Sequence, residues 1–154
     1  MPEYIIVKSK DEYKAAAILF AEYANWLGID LSFQHFEEEL KSLEQMYAAI
    51  YGGIILCKED NEFIGCVAIR KFADNIAELK RMYVQPACQQ RGIGKALMER
   101  SIKLAADCGY KKIVLDTLND MTAAIQLYKQ YGFEEIPAYY HNPNATVVYF
   151  EKEL

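Results

Sequence analysis

Two hydrophobic periods alternate along the chain, and the places where one gives way to the other mark its elements. Tyr4 to Lys8 alternates in β-forming residues, which predicts a strand. Ser9-Lys10-Asp11-Glu12 then reads as a capping box, in which the Ser9 hydroxyl and the Glu12 carboxylate satisfy orphan helix N–H groups reciprocally. Tyr13, Ala17, Phe20, Ala24 and Leu27 recur at spacings of three and four, so one apolar helix face runs until Gly28 stops it. A second helix follows over about 33–46, capped by Asp30 or Ser32. It carries Phe36, Leu40 and Leu43 on one side and the acidic Glu37, Glu38, Glu39 and Glu44 on its outer face.

From Ile54 the period shortens to two. Ile54 to Lys58, Phe63 to Phe72 and Ile76 to Val84 are separated by polar turns at Glu59 to Glu62 and at Asp74-Asn75, an antiparallel meander of three strands. Pro86 ends it. A long helix spans Gly92 to Cys108 with Gly109 at its C′ position, and Lys112 to Thr117 reads as a buried strand. A helix from about Met121 to Tyr131 stops at Gly132, and short strands at Phe133 to Glu135 and Thr146 to Glu153 flank the loop Pro137 to Asn144. Antiparallel and parallel strands with helices on both faces describe an α/β (α+β) domain with a mixed sheet, a single unit over residues 1–154.

Composition narrows the function classes. At 53% hydrophobic and 25% charged residues the chain can bury a core. Its longest apolar stretches, Ala15 to Phe20 and Gly52 to Cys57, fall well short of the roughly 20 residues that cross a bilayer. The acidic start Met1-Pro2-Glu3-Tyr4 lacks a secretory leader's pattern, so a cytoplasmic location is expected. Cys57, Cys66, Cys88 and Cys108 form no C-x-x-C pair, and neither His35 nor His141 stands at a zinc-type spacing from them, so no metal is expected. A net charge of −5 provides no basic field for a nucleic-acid backbone and weakly favours a cationic or amine-bearing partner.

The most informative segment runs from Glu78-Leu79-Lys80-Arg81-Met82-Tyr83-Val84 through Gln89-Gln90-Arg91-Gly92-Ile93-Gly94-Lys95 into the long helix. A helix starting on such a loop aims unpaired N–H groups and the positive end of its dipole at one point, where a phosphate or pyrophosphate is stabilised. Gly92 and Gly94 remove Cβ atoms that would hold phosphate oxygens off, and Arg91 and Lys95 can add charge at the rim. A Walker loop is excluded, because Gln89 and Ala96 stand where its first Gly and its Ser or Thr belong. A dinucleotide fingerprint is excluded by Leu97 at its third glycine position and by the preceding meander.

These residues resemble the GNAT (GCN5-related) N-acetyltransferase family, whose hallmark [QR]-x-x-G-x-[GA] is met by Gln89-Gln90-Arg91-Gly92-Ile93-Gly94. "AELKRMYVQPACQQRGIGKALME" looks like the family's cofactor strand, loop and helix, and "AAIQLYKQYGF" resembles its second signature; together they cover Ala77 to Phe133. The resemblance implies the acyl-CoA N-acyltransferase fold and acetyl-CoA as co-substrate. It also implies that the backbone of Met82, Tyr83 and Val84 hydrogen-bonds the pantetheine arm while amides from Gln89 to Lys95 hold the pyrophosphate. It places Tyr128 near the thioester sulfur, where a phenol could protonate the departing thiolate; the plain alternative is a core tyrosine beside Leu127, one of 12 tyrosines in the chain. Many family members carry an Asn seven residues before this Tyr. Here that place is Met121, and Asn119 is the neighbouring candidate for coenzyme contact.

An aliphatic ammonium with a pKa near ~10.4 must lose a proton before it attacks. Glu78 stands where some family members carry a general base, and alternation would put Lys80 and Met82 on its face; an ion pair with Lys80 or Arg81 is the alternative. A strand amide near Met82 would hold the oxyanion. Direct attack in a ternary complex is expected in place of a ping-pong route through Cys66 or Cys88, since neither has an adjacent His. Glu37 to Glu39 could select a cationic acceptor or form a solvated face. The segment Trp26 to Gln34 and the loop bearing Tyr139, Tyr140 and His141 resemble the family's acceptor-cleft borders. The expected partner is therefore an amine-bearing small molecule or peptide, with no nucleic acid and no membrane, and with a homodimer through the C-terminal strands as an option. The competing readings are a non-catalytic acyl-CoA-binding module and a transferase for a different acyl group.

Overall fold

The structure, a computed structural model, describes residues 1–28 and 35–154. The candidate caps Asp30 and Ser32, and the stretch 29–34 of the expected acceptor border, lie outside the described residues.

A seven-stranded mixed sheet forms the middle layer, in the order β1-β2-β3-β4-β5-β7-β6. Its strands are β1 (Glu3–Ile6), β2 (Gly53–Glu59), β3 (Glu62–Ala73), β4 (Ile76–Val84), β5 (Lys112–Leu118), β6 (Glu134–Ile136) and β7 (Val147–Glu153). The expected meander is present as β2 to β4. Its turns are tight enough to put Asp60, Asn61 and Asn75 at positive φ, a conformation that short polar side chains tolerate. Helices α1 (Lys10–Leu27), α2 (Phe36–Lys41) and α3 (Leu43–Met46) cover one face; α4 (Ile93–Asp107) and α5 (Thr122–Gln130) cover the other. Each face has its own core: Ala16, Leu19, Phe20, Leu43 and Tyr47 pack on Ile54, Leu56 and Ala68, whereas Ile93, Leu97, Met98 and Ala105 pack on Ile55, Val67, Leu79 and Leu115.

The start of α1 is capped as read: Ser9 Oγ accepts from the Glu12 amide at 3.1 Å and Glu12 Oε1 accepts from the Ser9 amide at 3.0 Å. Gly28 closes the helix at φ +70. The buried stripe is centred on Ala16, Leu19 and Phe20, rotated from the expected one, and Ile18 points outward. The second helix is interrupted. Ser42, at φ −129, separates α2 from α3, which lets Glu39 and Tyr47 turn into the sheet together. The acidic outer face therefore holds for Glu37 and Glu38 but not for Glu39, which is only 1% exposed.

Two irregularities in the sheet shape everything that follows. The first is a bulge in β4: Cys66 pairs with Tyr83 and Ala68 with Lys80, so Arg81 and Met82 together stand opposite Val67, with Arg81 at φ +57. The second lies between β4 and β5, the sheet's parallel pair. They are in register only over Ile76–Glu78 against Lys112–Val114, although β4 continues to Val84 and β5 to Leu118. Beyond Glu78 the two strands part, leaving a gap in the middle of the sheet.

Candidate functional site

The bulge re-aims β4 just where the gap opens. Up to Lys80 the strand alternates, Ala77 and Leu79 facing α4 while Glu78 and Lys80 face the α1 side. With the inserted residue, Arg81 stays on the α1 side beside Lys80, and Met82 and Val84 turn toward α4. Met82 is thus on the face opposite Glu78 and Lys80, which corrects the simple alternation expected from the sequence. A positive φ costs a non-glycine residue about 1–2 kcal/mol, and the Arg81 side chain supplies the compensation. Its Nε and one terminal nitrogen bind the two oxygens of Glu39 at 3.0 and 2.8 Å, its guanidinium lies 5.1 Å from the Phe36 ring centre, and its carbonyl accepts from Cys66 Sγ at 3.1 Å. Tyr47 donates to Glu39 Oε2 at 3.0 Å. Burial alone would push the Glu39 carboxyl up, but the hydrogen bonds and charge of Arg81 outweigh it and hold the group below the usual carboxylate range.

An open cleft of about 630 Å³ lies on the α4 side of the gap. Met82, Tyr83 and Val84 form one wall, Gln89, Gln90, Gly92, Ile93, Gly94 and Lys95 the floor, and the start of α5 with Tyr128 the other wall. The floor is the beginning of α4. Gly92 is the N-cap at φ +83, with no side-chain cap, and Ala96 is the first amide of the helix to find a helical acceptor, Gly92 O at 3.1 Å. The amides of Ile93, Gly94 and Lys95 are thus left for something in the cleft. Glycine at 92 answers to backbone conformation, since a Cβ there would meet nothing within 4 Å. At Gly94 a Cβ would make ordinary contacts, 3.6 Å from the Met82 methyl and 3.8 Å from a Leu127 methyl. Gln89 ties the loop to the strand, its Nε2 donating to Val84 O at 3.0 Å.

Tyr128 is 5% exposed, packed against Phe133 and Phe150 with ring centres at 5.8 and 6.2 Å. Among the described residues its hydroxyl has no hydrogen-bond partner, so the one polar atom of a buried ring is left at the cleft wall. Burial, reinforced by the nearby Tyr23 phenol and Asp116 carboxylate, pushes its pKa far above the ordinary tyrosine value. It holds its proton throughout the physiological range and can donate it in a hydrogen bond.

Three sequence candidates stand apart from this cleft. The Arg91 guanidinium is bound to Glu59 of β2 at 2.7 and 2.8 Å and is turned away from the floor. Asn119 donates its amide to Thr146 O at 2.8 Å and is exposed, while Asp120 and Met121 supply that stretch of the lining. Glu78 is buried on the far side of the sheet. Its Oε1 receives Arg70 Nε and a terminal nitrogen, both at 2.9 Å, with Lys80 Nζ at 3.9 Å, and its Oε2 accepts from Tyr139 at 2.7 Å. The expected pairing with Lys80 is thus secondary to Arg70, and the expected pairing with Arg81 is absent because Arg81 belongs to Glu39. Sequence reasoning missed Arg70 and Asp116, and it weighed Glu39 only within the acidic run, not as the partner of Arg81. Arg70 and Glu78 are cross-strand neighbours in register, which the meander could have suggested; the other two are brought in by packing of distant elements.

On that far side the C-terminal loop is folded over the sheet. Tyr140 donates to Asp116 Oδ2 at 2.6 Å, Asn142 Nδ2 donates to the Tyr140 hydroxyl at 3.0 Å, and the Tyr139 ring stands 5.0 Å from Phe72 and 5.3 Å from both Tyr140 and Tyr149. Tyr23 and Trp26 of α1 pack on Tyr83, with ring centres at 5.9 and 5.7 Å, and Trp26 and Tyr83 line the cleft.

A sequence profile described as the Acetyltransferase (GNAT) family matches residues 20–133. An uncharacterized N-acetyltransferase of Schizosaccharomyces pombe is 34% identical over 146 residues, which cover 94% of this chain and 88% of the relative. Among solved structures, an acetyltransferase of the GNAT family from Staphylococcus aureus superposes with a TM-score of 0.82 over 99% of both chains at 18% identity. A PaiA N-acetyltransferase from Thermoplasma acidophilum, solved in complex with coenzyme A, superposes with a TM-score of 0.77 at 19% identity, over 100% of this chain and 99% of that one. Among the described residues no helix is long and apolar enough to cross a membrane, and no group of three or more His, Cys, Asp or Glu is placed to hold a metal ion.

Proposed function

The chain belongs to the GNAT acetyltransferase family, and from that premise we propose that it transfers the acetyl group of acetyl-CoA to an amine by direct attack in a ternary complex. The observation that carries this reading is the unpaired α4 N-terminus facing the gap between β4 and β5 across one cleft with the hydroxyl of Tyr128. That the Thermoplasma PaiA enzyme was solved with coenzyme A supports the choice of donor.

The residues fit such a donor without a metal ligand set. The amides of Ile93, Gly94 and Lys95, with the helix dipole behind them, bind the pyrophosphate. The free β4 edge from Met82 to Val84 offers main-chain groups that would pair with the amide-bearing arm as a strand would. The thioester supplies an activated acetyl group. An amine nitrogen arriving through the gap forms the new C–N bond as the C–S bond breaks, and Tyr128 gives its proton to the leaving sulfur. A β4 main-chain N–H near Met82 holds the carbonyl oxygen as charge develops on it. Glu78 has both oxygens engaged, by Arg70 and by Tyr139, so in this reading it fixes those two groups and the amine's proton leaves through water in the open cleft. Cys88 lines the cleft, but burial pushes the Cys66 thiol far up and its Sγ is bound to Arg81 O, which disfavours a ping-pong route through Cys66.

The test is thiol release from acetyl-CoA across polyamines, aminoglycosides, amino acids and peptide N-termini, with Tyr128→Phe alongside. Turnover on an amine that falls by about 100-fold or more in the variant, with acetyl-CoA binding retained, supports transfer and the proton donor together. Binding without turnover on any acceptor replaces transfer by a non-catalytic acyl-CoA-binding role, and turnover only with longer acyl donors changes the acyl group.

A further inference from the structure

The carboxylates on the α1 side of the sheet differ in what holds them. Glu39 is closed by Arg81 and Tyr47, and Glu78 by Arg70, Lys80 and Tyr139. Glu22 accepts from Gln85 at 3.0 Å and from Tyr83 at 3.5 Å. Asp116 is different in kind. It sits on β5 two residues past the last pairing with β4, at the edge of the gap, part exposed, and its bond is to the Tyr140 hydroxyl; among the described residues it has no cationic partner. Glu22 has two neutral donors, whereas Asp116 is left with a single phenol at the edge of the gap, a site with its counter-charge still to come.

What surrounds Asp116 is aromatic and comes from four parts of the chain. Tyr149 is its direct cross-strand partner on β7. Tyr140 is bonded to it, and Tyr139 completes a triangle with those two rings, edge-on to Tyr149 and tilted against Tyr140. Burial chiefly raises the phenols of Tyr23 on α1 and Tyr128 on α5, as it does those of Tyr139, Tyr140 and Tyr149, and the Asp116 charge adds to the rise in all five. The same carboxylate therefore reaches the proposed proton donor on one side of the sheet and the aromatic cup on the other. The cup is built in advance: Asn144 receives Thr146 and Asn142 receives Asn144 at 2.9 Å, which fixes the loop that carries Tyr139 and Tyr140.

We infer that Asp116 is the carboxylate that receives the acceptor's ammonium group, and that the acceptor is a primary alkylamine with no carboxylate beside its nitrogen. This rests on the acetyl-transfer reading of the same site. Ring faces attract a cation and cover the alkyl carbons next to it, and Asp116 supplies the charge-assisted hydrogen bond that a neutral molecule cannot use. An α-amino acid would bring its own carboxylate against Asp116, and like charges at that range repel. Acetylation converts the ammonium into a neutral amide, so the product loses the contact that held the substrate.

The experiment is calorimetric binding of butylammonium, 1-butanol and norvaline to the protein loaded with coenzyme A, in the wild type, Asp116→Asn and Asp116→Glu. Butylammonium should bind about ten- to a hundredfold tighter than the other two, from one charged hydrogen bond. Asp116→Asn, isosteric and still able to accept from Tyr140, should erase that preference while leaving coenzyme A affinity and circular dichroism unchanged; Asp116→Glu should keep part of it. Equal binding of the three probes by the wild type, or an undiminished preference in Asp116→Asn, overturns the inference. Thiol release on the same samples separates the two levels: ammonium selectivity through Asp116 without thiol release removes the transfer reading, and with it the acceptor role, and leaves Asp116 as an ammonium-binding site only. Amine turnover whose KM is indifferent to Asp116→Asn removes only this one.

Discussion

On the α4 side of the sheet, the groups that face the cleft are largely main chain: amides at the start of α4 and the free edge of β4. On the α1 side they are side chains locked in pairs, Glu39 with Arg81 and Glu78 with Arg70, under a cover of tyrosines. A surface of amides is specified by backbone conformation and tolerates most side chains. A surface of ion pairs is specified by identities far apart in sequence and tolerates few. The difference predicts that substitutions will act unequally on the two faces.

The largest effect is expected from Glu39→Gln. It leaves a buried guanidinium without its counter-charge, and breaking such a pair costs about 3–5 kcal/mol, read as a shift of the urea unfolding midpoint. Because the pair also holds the β4 bulge, acetyl-CoA should bind more weakly although Glu39 lies on the far face. Adding Arg81→Gly should restore part of that affinity, since glycine takes a positive φ freely and carries no charge to strand. If Glu39→Gln left both stability and binding intact, the two faces would not be coupled as described.

The same pair sets a pH dependence. The Glu39 carboxyl titrates near its ordinary 4.5 in the unfolded chain and lower in the folded one. Its contribution is then complete above 4.5 and is lost as pH falls through the folded value. The wild type should lose stability across that acid range, and Glu39→Gln should show a flatter profile there.

On the amide face the effects are smaller and of backbone origin. Gly92→Ala should destabilise the fold by about 1–2 kcal/mol, because φ +83 opposes a Cβ even where space is free. Gly92→Asn should cost less, since asparagine enters that conformation more readily; equal costs would place the effect in packing. Smallest of all should be Arg91→Ala: with its guanidinium held by Glu59, acetyl-CoA affinity should change within about threefold. A large loss would mean that Arg91 leaves Glu59 for the cleft.

The same contrast explains what the sequence made legible. The meander, the capping box at Ser9, the α4 start at Gly92 and the short helix that carries Tyr128 are encoded within a few residues, by periodicity or by a contiguous motif, and the structure reproduces these elements. The bulge at Arg81 was not legible, because nothing local asks an arginine inside an apolar strand to take a positive φ; the reason sits 42 residues away at Glu39. Glu39 itself looked like one of three equivalent glutamates, and only the break at Ser42 distinguishes it by turning it inward. Asp116 lies in a strand that reads as buried, and its meaning depends on a loop 24 residues later. The motif-bearing side could be read in order along the chain, whereas the other needed the tertiary structure.

The strand order carries a consequence for synthesis. β7 follows the other six strands in chain order, yet it is inserted between β5 and β6. Until residues 147–153 have emerged from the ribosome, β5 has a bare edge along the whole of Lys112–Leu118, and Tyr149 is missing from beside Asp116. The nascent chain can complete the β2 to β4 meander and the α4 start early, from mostly local contacts, but the aromatic cluster must wait until β7 has been made. A chain stalled or clipped before Val147 would therefore present an unpaired strand edge of the kind that chaperones and neighbouring chains capture.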